Sequence, residues 1–221
     1  MCKPVMKNIV LAFVLLFALS LQPPLRATDA PAEPVVDTSG KKLQVDQSYY
    51  IVPAMRTFTR CGKLECLNAE GLSLANIGET CPLDVVVVQR SFGLPLSFSP
   101  FDTNEGVVLE STDLNIVFST DRTSCDEYSL VWKLDHFGGS KGEWVVTTGG
   151  SKGNPGRRTI RNWFKIDKCD GAYKIVYCPS VCLSSKHLCK DVGVFVDENG
   201  NRRLALSDVP FKVKFQLAKS N

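Results

Sequence analysis

The 221-residue sequence predicts an all-β fold, either a sandwich or a barrel, for three reasons. Short runs of β-branched and aromatic residues are bounded by Gly, Pro, Asp and Asn, they recur at near-regular spacing, and helical periodicity is almost absent. Alternation is clearest at 114–118 and 211–215, where apolar side chains fall on one face and Asn115, Lys212 and Lys214 on the other. The composition, 44% hydrophobic and 22% charged, excludes a disordered or collagenous chain.

Turn-forming residues set the limits of each predicted strand. Pro53 and Pro100 directly follow apolar runs, and Gly106 precedes another. The stretch 138–156 contains GGSKG twice, but each Lys is followed by Gly rather than Ser or Thr, which favours strand connections over a phosphate-binding loop. In chain order the predicted strands are 49–52, 85–89, 96–99, 107–110, 114–119, 128–134, 144–148, 162–166, 173–177, 194–197, 203–207 and 211–217.

A weak internal repeat refines the fold prediction. The runs 50–52, 128–131 and 173–176 each begin with Tyr and resemble one opening strand used three times. Three copies of a four-strand unit predict about twelve strands closed around a common axis, and one domain, because a single unit cannot bury its apolar face. The paired runs expected to end the three units are 107–109 with 114–118, 144–146 with 163–166, and 204–206 with 211–215.

The N-terminus predicts a secretory signal peptide over residues 1–27. Lys3 and Lys7 precede an apolar run of thirteen residues, 9–21, which as a helix reaches only about 20 Å of a roughly 30 Å hydrocarbon core. We therefore expect a secreted protein, in the apoplast or alternatively the vacuole, with no membrane association in its mature form. Residues 28–34 are expected to form a flexible arm and residues 35–221 the folded domain.

Formal charge disfavours a nucleic-acid partner. Residues 1–27 contain three of the 26 Lys and Arg residues and none of the 23 acidic ones, so the mature chain is neutral. An enzyme is also disfavoured, because the sequence has two His residues, no nucleophile elbow and no HExxH motif. We expect no cofactor.

Eight of the nine cysteines follow the predicted signal peptide, and an even number in an oxidising compartment predicts disulfides. A zinc site is disfavoured because CxxC pairs and Cys/His clusters are absent, so no metal is expected. The pattern alone leaves the pairing open. The eight are Cys61, Cys66, Cys81, Cys125, Cys169, Cys178, Cys182 and Cys189.

Five segments of the mature chain resemble, in order, the plant Kunitz inhibitors of the soybean trypsin inhibitor family. The first is VVDTSGKKLQVDQSYYIVP, where Lys41 departs from the family pattern. The extra cysteines and NWFKIDKC are similar to the miraculin-like branch. The segments are 35–53, 81–89, 162–166, 173–179 and 191–208. Residues of the first segment that match are Val35, Asp37, Gly40, Leu43, Tyr49, Tyr50 and Ile51.

The resemblance implies a β-trefoil, in agreement with the threefold pattern, and the disulfides Cys81–Cys125 and Cys178–Cys189. Cys61 and Cys66 are then most simply paired as a tight surface ring. Cys169 and Cys182 remain; we favour a bond within the chain and hence a monomer. The alternative is a disulfide-linked dimer through Cys169, whose position resembles one that forms such a bond in miraculin.

The resemblance also implies a protease inhibitor, whose partner is a protease and whose exposed loop enters the protease cleft. The equivalent segment here, called the candidate loop, is 99–107, and the specificity position falls near Asn104. The predicted contact residues are Asp102, Thr103, Asn104 and Glu105. They include no Lys or Arg, and two are acidic, which disfavours a trypsin-like pocket with a carboxylate at its base. Val45 also replaces the Asn that supports the loop in the family.

Three alternatives to this interpretation remain open. A disulfide ring could display Lys63 and Leu64 as a secondary inhibitory loop, although we favour a simple hairpin tip there. Arg157 and Arg158 lie in a Gly- and Pro-flanked loop, which we interpret as a solvated charge pair or a processing site. The alternative function is a binding, storage or defence protein that has lost inhibition on the same fold.

Overall fold

The computed structural model describes residues 31–54, 58–61, 64–67, 69–77, 81–102, 106–121, 123–137, 142–182 and 188–218. The predicted signal peptide, 1–27, lies outside them. In these ranges no helix has the length and apolar character needed to cross a membrane. The strands of the described chain are β1 Tyr49–Pro53, β2 Phe58–Cys61, β3 Leu64–Leu67, β4 Glu70–Ala75, β5 Asp84–Gln89, β6 Leu96–Pro100, β7 Leu114–Phe118, β8 Lys133–Phe137, β9 Glu143–Thr147, β10 Lys165–Cys169, β11 Ala172–Tyr177, β12 Lys190–Val196, β13 Arg202–Ser207 and β14 Val213–Leu217, with a 3-10 helix at Ile160–Asn162.

Six strands close into a ring through three equivalent antiparallel pairings. Each of the pairs β6–β7, β10–β11 and β14–β1 aligns five residues with five. A single residue contact then joins each pair to the next, and it too occurs three times. These contacts are Tyr49 with Leu96, Leu114 with Phe164, and Tyr173 with Val213.

The remaining strands of the large sheet form three hairpins, β4–β5, β8–β9 and β12–β13, which pair with one another. The contacts between hairpins are Val86 with Arg203, Asp84 with Thr147, and Val145 with Ala205. Six ring strands and six hairpin strands make the twelve-stranded sheet, and β2–β3 is a separate two-stranded hairpin. The threefold repetition of both sets confirms the predicted β-trefoil.

The limits of the predicted repeat require correction. The opening strand of the second unit is β7, not the run 128–131, because β7 is equivalent to β1 and β11 in the ring. Tyr128 is 42% exposed and lies outside any strand, and Val131 makes only an isolated bridge to Val117. The units are therefore β1-β4-β5-β6, β7-β8-β9-β10 and β11-β12-β13-β14, and Leu114–Phe118 begins a unit instead of ending one.

The core lies inside this ring and contains aromatic side chains in edge-to-face contact. The rings of Phe98 and Phe215 are 5.4 Å apart at 90°, and those of Trp132 and Phe164 are 5.8 Å apart at 90°. Such pairs add about 0.5–1.5 kcal/mol to the stabilisation from burial alone. A densely packed core of this kind holds the strand ends, and hence the loops, in fixed positions.

The described residues contain two disulfides, Cys81–Cys125 and Cys178–Cys189, the pairings that the family resemblance implies. Cys169 is a free cysteine, so the expected bond to Cys182 is not formed. Cys169 pairs with Ala172 at the start of β11, whereas Cys182 follows the other end of that strand. The two cysteines are therefore attached to opposite ends of β11, whereas a disulfide would need their Cα atoms within roughly 7 Å. The side chains of the expected Cys61–Cys66 ring lie outside the described residues.

The end of the predicted flexible arm belongs to the sheet. The Glu33 carbonyl accepts a hydrogen bond from the Glu110 N–H (2.8 Å), and Pro34 forms a bridge with Leu109. The Glu33 carboxylate also lies 3.1 Å from Lys168 Nζ. Residues 33 and 34 are therefore fixed, and only the earlier part of the arm remains a prediction.

Candidate functional site

The candidate loop connects two strands of the ring, β6 and β7. Pro100, the last residue of β6, pairs with Leu114, the first of β7, so the loop leaves and re-enters the sheet at neighbouring positions. Asp102 is exposed at the start of this connection. The other predicted contact residues, Thr103, Asn104 and Glu105, lie outside the described residues.

The outgoing side of the loop is tied to a second loop through Asp113. The Phe101 N–H donates to the Asp113 carbonyl (2.8 Å). The Asp113 carboxylate is buried and accepts the Ser180 N–H at 3.1 Å on each oxygen, together with the Ser180 hydroxyl. Lys165 Nζ in turn donates to Ser180 Oγ (3.1 Å). The segment beginning at Cys178 thus holds the base of the candidate loop.

The returning side of the loop is held by the N-terminal segment. The Val45 N–H donates to the Gly106 carbonyl (3.1 Å), and the Val108 N–H donates to the Leu43 carbonyl (3.0 Å). Gly106 has a φ of +67°, a conformation that glycine adopts without steric cost. At position 45, where the family has an Asn, the Val45 main chain is bonded to the returning side of the loop.

An exposed phenylalanine stands at the base of the loop. The Phe101 side chain is 58% exposed, and its ring contacts the buried Trp163 edge-to-face, with centroids 6.1 Å apart at 84°. Trp163 follows the 3-10 helix between β9 and β10, so this contact joins the candidate loop to a third connection. Nothing in the local sequence predicted the contact, because its partners are distant in the chain.

The third connection, 151–162, is fixed by two buried asparagines. Asn115 Oδ1 accepts the Gly153 N–H (2.7 Å), and Asn115 Nδ2 donates to the Asn162 carbonyl (2.8 Å). Asn162 Nδ2 donates to the Ser151 carbonyl (3.2 Å). Asn115 was predicted only as a residue on the polar face of its strand; its complete burial shows instead that it organises this loop.

Arg157 and Arg158 lie on that fixed loop. The Thr159 N–H donates to the Gly156 carbonyl (3.1 Å), so the two arginines are the central residues of a tight turn, and both are exposed. This agrees with a solvated charge pair. A protease cleft binds extended backbone, so the turn disfavours a processing site.

The secondary candidate Lys63 lies outside the described residues. Leu64 begins β3, and its backbone pairs with that of Cys61 across the β2–β3 hairpin. The Leu64 side chain lies outside the described residues. The backbone therefore agrees with a hairpin end at this position, the interpretation favoured from the sequence.

A cavity of about 690 Å³ lies between the N-terminal segment and the β10–β11 turn and is lined by Glu33, Asp37, Lys168, Tyr173 and Lys214, among others. Burial raises the pKa of the neighbouring Glu110, and Lys168 at 3.8 Å partly opposes this. In the described part of the chain, no group of three or more His, Cys, Asp or Glu residues could hold a metal ion.

Comparison with known proteins identifies the family. The model of the Kunitz legume family, described as trypsin and protease inhibitors, matches residues 35–217. The chain belongs to this family. Kunitz trypsin inhibitor 5 of Arabidopsis thaliana is 44% identical over 194 residues, covering 86% of this chain and 89% of the relative. Miraculin of Synsepalum dulcificum is 42% identical over 204 residues and covers 90% of each chain.

The solved structures agree with this assignment. The Kunitz-type cysteine protease inhibitor PCPI-3 from potato superposes with a TM-score of 0.68 at 32% identity, covering 86% of this chain and 100% of the potato chain. The predicted family, the β-trefoil and the predicted function as a Kunitz-type protease inhibitor are thereby confirmed. Protease inhibitors of this kind are not enzymes, and their partners are proteases.

Proposed function

We propose that this Kunitz inhibitor acts on an endopeptidase other than trypsin, by inserting residues 102–105 of the candidate loop into the protease cleft. The observation that carries the proposal is the double anchoring of the loop. Its outgoing side is bonded to Asp113 and its returning side to Val45, so both ends leave a rigid ring. A loop held in this way loses little conformational entropy on binding, which favours tight association.

The same anchoring explains how an inhibitor can bind like a substrate and resist turnover. If the protease cuts a loop whose two ends are fixed, the new termini stay close together. Religation then competes with release of the fragments. The candidate loop meets this requirement because Pro100 and Leu114 pair directly at its base.

Charge argues against a trypsin-like target. Trypsin-like specificity pockets have an aspartate at the base and require Arg or Lys. Residues 99–107 contain neither, and Asp102 and Glu105 place negative charge in the segment that would approach that aspartate. Desolvation of like charges makes this approach unfavourable. The relatives are named for both kinds of target, the Arabidopsis protein as a trypsin inhibitor and the potato protein as a cysteine protease inhibitor, so the loop charge carries the argument against trypsin.

A panel of trypsin, chymotrypsin, subtilisin, papain and pepsin tests the proposal on the mature protein. We expect submicromolar inhibition of at least one protease other than trypsin, weakened at least tenfold by Thr103→Ala, Asn104→Ala or Glu105→Ala. Val209→Ala, which changes a 74% exposed side chain elsewhere, is the matched control. Inactivity against the whole panel would instead support the binding, storage or defence alternative, which the similarity to miraculin accommodates.

We also propose that the protein is secreted and acts in the apoplast, with the vacuole as the alternative. The charged start and apolar run of residues 1–27 support this. N-terminal sequencing of the protein from extracellular fluid should begin near Thr28, and recovery only from vacuoles would contradict the apoplast. For the oligomeric state we propose the alternative of a disulfide-linked dimer through Cys169, because the Cys169 thiol is free.

A further inference from the structure

Phe101 is an apolar side chain left exposed at the edge of the candidate loop. Among the described residues, the large hydrophobic side chains with substantial exposure are Phe101, Tyr128, Leu188, Val196, Val209 and Leu217. Phe101 is the only phenylalanine among these described side chains, and it directly precedes the predicted contact residues. Aromatic side chains are enriched at protein–protein interfaces relative to the rest of the surface, and Phe101 adjoins the segment expected to bind.

The position of Phe101 is fixed before any partner arrives. Its N–H is bonded to Asp113, and its ring contacts Trp163, which is 1% exposed. The Asp113 carboxylate accepts hydrogen bonds from the N–H and hydroxyl of Ser180. The Ser180 hydroxyl oxygen in turn accepts a hydrogen bond from Lys165 Nζ. Binding therefore requires little further ordering of this side chain, which lowers the entropic cost of burying its exposed apolar area.

The rest of the candidate loop offers no comparable group. Residues 102–105 are Asp, Thr, Asn and Glu, so a purely loop-based contact would be polar and partly acidic. Interfaces of high affinity depend on a few buried anchors, and aromatic residues are prominent among them. Phe101 lies on the N-terminal side of the predicted specificity position, Asn104, where a protease cleft binds the residues that precede the scissile bond.

We propose that Phe101 is the apolar anchor of the protease-binding surface. The partner that fits is an endopeptidase with an apolar subsite for the residues N-terminal to the scissile bond and no carboxylate in its specificity pocket. This inference rests on the proposed function and adds to it the residue that supplies most of the apolar contact.

The test measures inhibition constants for Phe101→Ala, Phe101→Tyr and Phe101→Trp against every protease that the wild-type protein inhibits. Burial of a phenylalanine side chain corresponds to a ten- to hundredfold change in affinity, so we expect Phe101→Ala to weaken inhibition by that factor. The Tyr and Trp variants should stay within about threefold of wild type because they keep the aromatic contact. Val196→Ala, which truncates a side chain that is also 58% exposed, should leave inhibition unchanged.

Thermal unfolding of each variant separates binding from folding. The inference is overturned if Phe101→Ala inhibits as strongly as the wild-type protein. It is also overturned if Phe101→Tyr and Phe101→Trp lose as much inhibition as Phe101→Ala. If Asn104→Ala has no effect on inhibition while Phe101→Ala weakens it, the proposed insertion of residues 102–105 is contradicted and the role of Phe101 as the apolar anchor is supported. A wild-type protein inactive against the whole panel overturns the proposed function, and the anchor with it.

Discussion

Asp84 of β5 and Arg203 of β13 form an ion pair that is almost completely buried. Arg203 Nη2 donates to Asp84 Oδ1, and the two side chains are 5% and 1% exposed, Asp84 and Arg203 respectively. The pair joins the first and third repeats where their hairpins meet, beside the contact of Val86 with Arg203. Burial raises the pKa of Asp84, and the guanidinium of Arg203 partly opposes this.

Removal of one partner of this pair should strongly destabilise the protein. Asp84→Asn leaves the guanidinium in the interior without its carboxylate, which costs about 3–5 kcal/mol. The double variant Asp84→Leu with Arg203→Met should regain most of that loss, because apolar replacements of buried pairs are often neutral. Free energies of unfolding in urea measure both effects.

The half-exposed pair of Arg202 and Glu70 provides the matched comparison. Its side chains are 29% and 25% exposed, and Arg202→Ala should cost about 1 kcal/mol or less. Equal costs for Asp84→Asn and Arg202→Ala would show that burial of the first pair has no energetic consequence.

Asn115→Ala should loosen the connection 151–162. It removes the amide that bonds to Gly153 and to the Asn162 carbonyl, with an expected loss of about 1–3 kcal/mol. Limited digestion with trypsin should then cleave after Arg157 or Arg158 faster than in the wild-type protein. Asn199→Ala, a change on another turn, is the control; equal cleavage rates in all three proteins would exclude the anchoring role.

Asp37 should make stability depend on pH in the acid range. Burial is the largest influence and raises its pKa, but the Ser39 hydroxyl and the N–H groups of Ser39 and Lys41 together lower the pKa below 3.8. The Asp37 carboxylate therefore binds a proton more readily in the unfolded chain than in the folded one. The free energy of folding that its hydrogen bonds contribute is present above about pH 4 and is lost as pH falls through the folded-state pKa.

The variant Asp37→Asn tests this directly. Its melting temperature should lie below that of the wild type at about pH 6, and the difference should narrow toward about pH 2. A difference that stays constant over this interval would contradict the assignment.

Cys169 should form an interchain disulfide. Its thiol is free and partly exposed at the end of β10, and the secretory pathway, in which we propose that the protein matures, is oxidising. Non-reducing electrophoresis of the mature protein should show a dimer band that reductant removes. Cys169→Ser should abolish the band, whereas Cys182→Ser should retain it. A wild-type monomer under non-reducing conditions would contradict the prediction.

The strands that the sequence predicted well are those whose alternation matches their burial. In β7, Leu114, Ile116 and Phe118 are all buried, as the pattern indicates. β4, Glu70–Ala75, was missed because its sequence EGLSLA has little β-propensity, and its structure depends on six residue pairs with β5. The run 128–131 has strand-like residues but forms only an isolated bridge, between Val131 and Val117 of β7, and no local pattern reveals that the pairing stops there.

The position of the candidate loop followed from the family resemblance, but its anchors could not be predicted. Asp113 and Ser180 are 67 positions apart, and the carbonyl of Gly106 is bonded to a main-chain group of Val45. Contacts of this kind depend on how the ring closes and have no signature in spacing or composition. The exposure of Phe101 is likewise a property of the folded surface alone.

The pairing of β1 with β14 has a consequence for biosynthesis. Tyr49 aligns with Leu217, so the two strands that complete the ring come from opposite ends of the folded chain. Until residues 213–217 have been synthesised, the edge of β1 that β14 covers stays unpaired. The ring therefore closes only after β14 has left the ribosome, which makes assembly a late event relative to synthesis of the first two repeats.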